Sequence, residues 1–421
     1  MVTLASKLMF GPESADWQER INMERMRQKR MERARKIMRQ NGIAALLEAN
    51  TQNIRYLTAL RGFNYPMARY VLFFAEHEPV MYEHDGYYHQ MPDQAPWIKE
   101  WRPARSWLTG APGIEACQDE AKRFAAEIRH ELEARGLLGE KLGLGGFDGT
   151  AREALAAAGI KHIVDARPTM LEARAIKNED EISCLKMIAA MVDGVWFRIW
   201  ENLKPGIKDS DLATIGSQAG YELGMESAVP GGWRTGPATF DRGFHQSSRV
   251  IQVGDLVYGS YCGATYMGYG SCTYRTFIVG RKPTAKEADW YKRLRDRIDA
   301  IIEEIKPGKT TADAAKHFPP ASAWGYQDEV EVLASEIGHG IGLGTATGYD
   351  MPIINRQWSF RYPQVFEEGM TIAVESREGE TRVGGVRLEN MLVVTKAGAE
   401  IMDRFPRDEI LVAPLGLASA L

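Results

Sequence analysis

The segment I-G-H-G-I-G-L-G at positions 337–344 sets a histidine among glycines in an otherwise apolar run. Behind it come E-E-G-M-T-I-A-V-E-S at 367–376 and G-V-R-L-E-N at 385–390. His339, Glu375 and Glu389 therefore each sit in or beside a β-prone stretch, with Ile372, Ala373 and Val374 leading to Glu375 and Leu388, Met391 and Leu392 around Glu389. A carboxylate inside such a strand is costly to bury without a partner, a proton or a metal. Brought together, the three side chains make either a metal site or an acid–base site. The glycines do not read as a nucleotide loop, because no Lys-Ser/Thr follows them and the strand–turn–helix context with a later ribose-binding acid is missing.

Working outward, 421 residues exceed one ordinary hydrophobic core and predict two domains. A net charge of -4 gives no reason to expect a nucleic-acid partner, and the basic run at 25–39 is interleaved with glutamates and methionines as on a helix surface. Cys117, Cys184, Cys262 and Cys272 show neither C-x-x-C spacing nor an extracellular framework. With no signal-peptide pattern and no long apolar run, the expectation is a cytoplasmic protein that does not enter a membrane.

Residues 16–41 read as an amphipathic helix with Ile21, Met26, Ala34, Ile37 and Met38 on its apolar stripe. Short apolar runs at 43–47, 54–57, 71–74 and 79–82, with strand candidates at 142–145 and 162–164 and a helix at 119–135, predict an α/β domain over 1–172. The stretch R-A-I-K-N-E-D-E at 174–181 opens a second domain, 173–421. L-K-P-G at 203–206 recurs as I-K-P-G at 305–308, each followed by a capping residue, as expected for a duplicated unit of helices and strands about a central cleft. Between the copies, 229–246 reads as a loop carrying Trp233, Arg234, Asp241 and His245, and 263–275 as a glycine- and tyrosine-rich hairpin.

The order G-D-L-V (254–257), G-A-x-Y-x-G-Y-x-S (263–271), Thr276, G-H-G-I-G (338–342), E-E-G-M-T-x-x-x-E (367–375) and G-V-R-L-E-N resembles the creatinase/aminopeptidase P/prolidase family, M24. The resemblance implies an N-terminal α/β domain followed by an α+β pita-bread catalytic domain built as a pseudo-twofold duplication, and a homodimer. The loop G-G-W-R-T-G-P (231–237) and Y-D-M-P (349–352) look nearest to the dimethylsulfoniopropionate (DMSP) lyase branch. Metal-binding members hold two ions with two aspartates, a histidine and two glutamates, and the resemblance carries His339, Glu375 and Glu389 onto the last three. The aspartates fall elsewhere: the second on Cys272, the first on Ser260 or Tyr261.

That departure leads to the expectation of a metal-independent hydrolase of a C–N bond in a small cationic or zwitterionic molecule, working by acid–base chemistry as the resemblance to creatinase implies. Glu375 and Glu389 would share a proton, His339 would carry one, and His245 is a further candidate base. Trp233, Arg234, Asp241, Tyr261 and Tyr274 are the candidate substrate contacts, the aromatic rings suiting a cationic group. The alternative set Cys272, His339, Glu375 and Glu389 would hold one zinc or iron ion. Other readings are a DMSP-lyase-like eliminating enzyme, a relative of Xaa-Pro peptidases, and a non-catalytic binding protein. For Glu375 and Glu389 the plainer role is a buried ion pair with Arg387 or Arg275; for Cys272 it is that of a small buried hydrophobe.

Overall fold

In the computed structural model, which describes residues 21–61, 68–84, 86–107, 110–241, 247–333, 335–345 and 349–415, contacts divide the chain between Arg174 and Ala175. One unit is Met23–Arg174; the other holds the described residues from Ala175 onward, together with Ile21 and Asn22. The sequence pattern set the change of domain at 172/173.

The first unit begins with α1 (Met23–Gln40), which buries Met26, Ala34, Ile37 and Met38 as its apolar spacing predicts, together with Arg30. A six-stranded sheet follows, in the order β4 (Glu100–Pro103), β3 (Val80–Glu83), β2 (Tyr70–Phe74), β1 (Ala45–Glu48), β5 (Leu142–Gly145), β6 (Ile163–Asp165). β2 reads Y-V-L-F-F and every residue is buried, as a strand covered on both faces requires. The run at 54–57, read as a strand from its apolar composition, is instead part of helix α2 (Thr51–Thr58). Asn50 caps that helix, its side-chain oxygen accepting from the amides of Gln52 and Asn53. Capping chemistry outweighed a four-residue apolar run. The unit also holds helices α3 (Ile114–Ala134), α4 (Gly149–Ala157) and α5 (Arg167–Ala175), and Phe124, Ile128 and Leu132 of α3 share a core with Tyr70 and Leu72.

In the second unit, α6 (Glu179–Asn202) and α7 (Asp209–Glu222) precede a four-stranded sheet of order β17 (Leu411–Ala413), β11 (Tyr274–Val279), β8 (Leu256–Ser260), β7 (Trp233–Thr235). Between β8 and β11 lies the small hairpin β9 (Thr265–Tyr266) and β10 (Tyr269–Gly270), turned by Met267 and Gly268 at positive φ. Helices α8 (Ala285–Glu304) and α9 (Thr311–Ala315) lead to a five-stranded sheet of order β13 (Asp350–Ile354), β12 (Ile337–Gly340), β14 (Thr371–Glu380), β15 (Gly384–Thr395), β16 (Gly398–Ile401).

The repeated K-P-G marks a true duplication of contacts. Gly206 N–H donates to Ile251 O, and Ile251 N–H to Ile207 O; correspondingly, Gly308 donates to Phe366 O, and Phe366 to Lys309 O. Lys208 bridges Val250 as Thr310 bridges Val365. Even the caps match: Lys208 N–H is held by Asp211 and Thr310 N–H by Asp313, both at 2.8 Å. Helix-stop chemistry alone fixes no partner on a distant strand, so the matching long-range bonds are what establish the repeat.

Strand alternation gives the second sheet two faces of opposite character. Ile372, Val374, Val386, Leu388 and Leu392 pack against Trp290, Leu294, Ile298 and Ile301 of α8. The intervening residues, Ala373, Glu375, Arg377, Arg387, Glu389 and Met391, take the other face.

Glu48 ends β1 with no exposed surface. Burial pushes its carboxyl up to about 7, with the Asn53 amide and the Arg174 charge pulling the other way. A carboxyl that binds its proton more tightly when folded stabilises fully below its unfolded value of 4.5. That contribution fades as pH rises through about 7. Glu48→Gln, neutral at all pH, should therefore remove up to about 3 kcal/mol of the wild type's loss of stability between pH about 5 and about 8, read by urea unfolding at both ends. Parallel pH profiles for the two proteins would show that Glu48 is already ionised when folded.

Candidate active site

Glu375 and Glu389 stand directly opposite each other on β14 and β15. Both are buried, and the glutamate pair is flanked in register by Arg377 opposite Arg387. His339 enters from β12, whose register sets His339 against Ala373, two residues along the same face from Glu375. Its Nε2 lies 3.6 Å from Glu389 Oε1, while Nδ1 is 3.1 Å from Gly340 O and so carries the proton in the neutral ring. Burial pulls the imidazole pKa down; the neighbouring Glu389 carboxylate outweighs it, and the net direction is above the ordinary value. Gly340 is required here because a Cβ would stand 2.2 Å from Met351 O, where β13 closes onto β12.

The other sheet supplies two thiols. Tyr274 pairs with Ser260, and the ladder continues through Tyr261 N–H to Thr273 O and Gly263 N–H to Ser271 O, both 2.9 Å. Cys262 and Cys272 thereby face each other in a non-hydrogen-bonded cross-strand pair, the kind whose side chains come closest. Cys262 Sγ donates to Glu389 Oε2 at 3.3 Å, and Cys262 Sγ, Cys272 Sγ and a Glu389 oxygen all lie within 4.8 Å of one another. Burial pushes the Cys262 thiol up to about 12 and Cys272 well above the usual range, with the neighbouring carboxylates acting in the same direction.

A buried pair fixes this arrangement from beneath. Arg275 of β11 donates to Glu389 O at 2.7 Å and forms an ion pair with Asp403. Asp403 in turn accepts from the side chain of Asn390 at 2.7 Å and the amide of Met391 at 2.6 Å. Arg275 thus serves the backbone of Glu389, and the carboxylate stays directed toward Cys262 and His339. Thr276 ties the sheets once more, its hydroxyl donating to Arg387 O and accepting from Arg387 N–H, both 2.9 Å. Arg387 lies 5.2 Å from the Tyr258 ring and 5.9 Å from that of Tyr274; Arg377 lies 4.3 Å from Phe240. Burial, and then the charge of Arg387, hold Arg377 below the usual arginine range.

The structure therefore gathers His339, Glu375, Glu389 and Cys272 on one face, with Tyr274 beside Arg387. Two candidate substrate contacts lie elsewhere. Trp233 and Tyr261 are completely buried against Trp196, at 5.9 and 5.1 Å between ring centroids, and the Tyr261 hydroxyl packs on Gly216. They belong to the aromatic core between α6 and β8, the role their size and burial favour. Arg234 donates to Trp233 O at 2.8 Å, and Asp241 O accepts from Tyr258. His245 lies outside the described residues. Among the described residues the donor atoms lying within 4.8 Å of one another are those of Cys262, Cys272 and Glu389, so Cys262 is a thiol outside the expected set of Cys272, His339, Glu375 and Glu389. Counting from Gly254 missed Cys262, and Ser260 Oγ instead accepts from Gly232 N–H. The available signal was Cys262 standing immediately before Gly263-Ala264, cross-strand from Cys272.

Residues 183–396 match the family model for metallopeptidase family M24, and residues 30–176 that for the creatinase/prolidase N-terminal domain. An uncharacterized peptidase, YqhT, of Bacillus subtilis is 28% identical over 256 residues, covering 59% of this chain and 68% of that protein. The probable dipeptidase PepE of Mycobacterium tuberculosis is 30% identical over 244 residues, 58% of this chain and 62% of that one, less than two thirds of its length. Among solved structures, an Xaa-Pro dipeptidase from Bacillus anthracis has a TM-score of 0.72 at 23% identity, covering 91% of this chain and 99% of that one. Dipeptidase PepE from Mycobacterium ulcerans has a TM-score of 0.74 at 22% identity, covering 93% and 99%. These likenesses are of fold.

Replacing Asp403 by Ala leaves the Arg275 guanidinium buried without its carboxylate. The expected cost is about 3–5 kcal/mol of stability, measured by chemical unfolding. A loss below about 1 kcal/mol would show that Arg275 finds compensation elsewhere.

Proposed function

The chain belongs to metallopeptidase family M24 and so to the hydrolases, and we propose that it cleaves an amide-type C–N bond in a small substrate bearing an acidic group. The observation that carries this reading is the single buried face on which Glu375, Glu389, His339 and two thiols lie beside Arg377 and Arg387. The carboxylates and imidazole supply proton transfer, while the adjacent guanidinium pair favours an anionic end of the substrate. Curated relatives include Xaa-Pro dipeptidases, such as that of Pyrococcus horikoshii at 26% identity over 265 residues. That supports a peptide-like substrate over the guanidino compounds that creatinase-like chemistry implies.

The expectation of a metal-free reaction finds no support in these comparisons, since the matched family is one of metallopeptidases. The residues present fit a metal ion: two thiols and a carboxylate converge, the His339 imidazole stands 3.6 Å from Glu389 Oε1, and that buried oxygen has no hydrogen-bond partner among the described residues. Cys262, Cys272 and Glu389, with His339 next to them, would hold it, and when bound it would polarise a carbonyl and acidify a water. Within the chain's own chemistry, Glu375 accepts the proton of the attacking water and returns it to the departing amine. His339, its Nδ1 proton held by the Gly340 carbonyl, presents Nε2 to Glu389 Oε1 and can hold a proton there. Arg387, braced by Tyr258, Tyr274 and Thr276, orients the substrate's acidic group. Free thiols at such a site suit a reducing compartment, in keeping with a cytoplasmic location. Among the described residues no helix is long and apolar enough to cross a membrane.

Assaying the purified protein against dipeptides, including Xaa-Pro dipeptides, guanidino acids and betaines tests the reading through amine release. Glu375→Gln should lower kcat by about 10²–10⁴-fold while the unfolding midpoint stays unchanged. An unaltered kcat would remove Glu375 from the chemistry, and an unsaturated acid as product would replace hydrolysis by elimination.

A further inference from the structure

We propose that the buried face holds one thiophilic divalent cation of the zinc class, bound by Cys262, Cys272 and Glu389 with the fourth position left to water, in place of a pair of hard ions. The inference rests on the hydrolase reading for its purpose, but the site is argued from its own geometry.

Three donors from three separate backbone segments converge. The two cysteines stand cross-strand in the continued β8–β11 ladder, and Glu389 reaches them from β15. Their ligand atoms lie within 4.8 Å of one another. A tetrahedral zinc with bond lengths of about 2.0–2.3 Å has ligand–ligand edges of about 3.3–3.8 Å, so small side-chain rotations close the set. Among the described residues these three supply the donor atoms that lie mutually within 4.8 Å, and three protein ligands is the number of a zinc site that keeps a position for water or substrate.

Glu389 divides its oxygens between the two roles. Oε2 accepts from the Cys262 thiol, whereas Oε1 has no hydrogen-bond partner among the described residues and stands 3.6 Å from His339 Nε2. His339 thus stands beside the ligand carboxylate, at the oxygen that no hydrogen bond occupies. The Arg275–Asp403 pair fixes the Glu389 backbone, so the donor set does not depend on a loop.

The donor atoms also decide number and kind. Two ions about 3.5–4 Å apart are best served by bridging carboxylates, each offering two oxygens. Each thiolate offers one sulfur, and these two sulfurs point at the same carboxylate. Sulfur donors select zinc, cadmium or cobalt over manganese or magnesium. Binding releases the two thiol protons to solvent, giving one metal ion, two thiolates and one carboxylate, with no change in oxidation state.

The test uses the full chain and needs no substrate. Protein stripped by chelation is dialysed against zinc, manganese or cobalt, and its metal content measured. We expect one zinc per chain, retained against an excess of manganese of about a hundred-fold. With cobalt we expect the near-ultraviolet charge-transfer absorption of thiolate ligands. Cys262→Ser and Cys272→Ser should each weaken that absorption and the retention of zinc, whereas Cys117→Ser, in the other unit, should change neither. Two ions per chain, a preference for manganese, or cobalt bound without thiolate absorption in the wild-type protein would each overturn the proposal, whether or not the serine variants fold. Failure of the hydrolase reading looks different: one thiolate-bound zinc with no turnover of any amide would leave this site standing and remove the function assigned to it.

Discussion

Arg275 and Asp403 form an ion pair on which the geometry of the second unit rests. Both are essentially buried. A buried pair of this kind gains little net stability against well-packed apolar residues, yet breaking it strands a charge. Its value here is positional. One guanidinium holds the carbonyl of Glu389, and one carboxylate holds the amide of Met391 and the side chain of Asn390. The strand segment bearing the central acid is thereby fixed between two sheets before any ligand is considered.

From that fixed point the rest follows by strand alternation. The face of β14 and β15 turned to α8 is aliphatic, and the opposite face carries the acids and the two arginines. A slip of one residue would send Glu375 and Glu389 into the helix-packed core, where their burial would have no compensation. The close approach of β13 to β12 at Gly340 and the cross-sheet bonds of Thr276 hold that register, so small backbone features govern where the charges lie.

Much of this was legible along the chain. Two domains, the duplicated unit and the strand segments bearing His339, Glu375 and Glu389 all followed from pattern and motif. The aromatic and thiol partners were harder. Tyr261 and Trp233 look like substrate contacts by residue type, but a ring next to a glycine-rich loop has the same composition whether it faces a cleft or a core. Cys262 was hidden by one residue of register: counting from Gly254 led to Ser260 or Tyr261. The strand pairing that sets Cys262 against Cys272 is a property of two segments at once. Similarly, the run at 54–57 was helical because Asn50 caps it, a local interaction that apolar content does not report.

Taken by itself, the sequence determined the family, the two-domain architecture and the residue types on offer for chemistry, because motif order and hydrophobic period are carried by single segments. Tertiary structure alone decided which side chains meet. It turned Arg275 to a backbone carbonyl and Asp403, sent Tyr261 into the core, and brought Cys262 to Cys272 and Glu389. Each of those outcomes depends on sheet register and on contacts between segments distant in the chain. Spacing along one strand fixes the face a residue takes, while the neighbour it meets there is chosen by the pairing of the sheets.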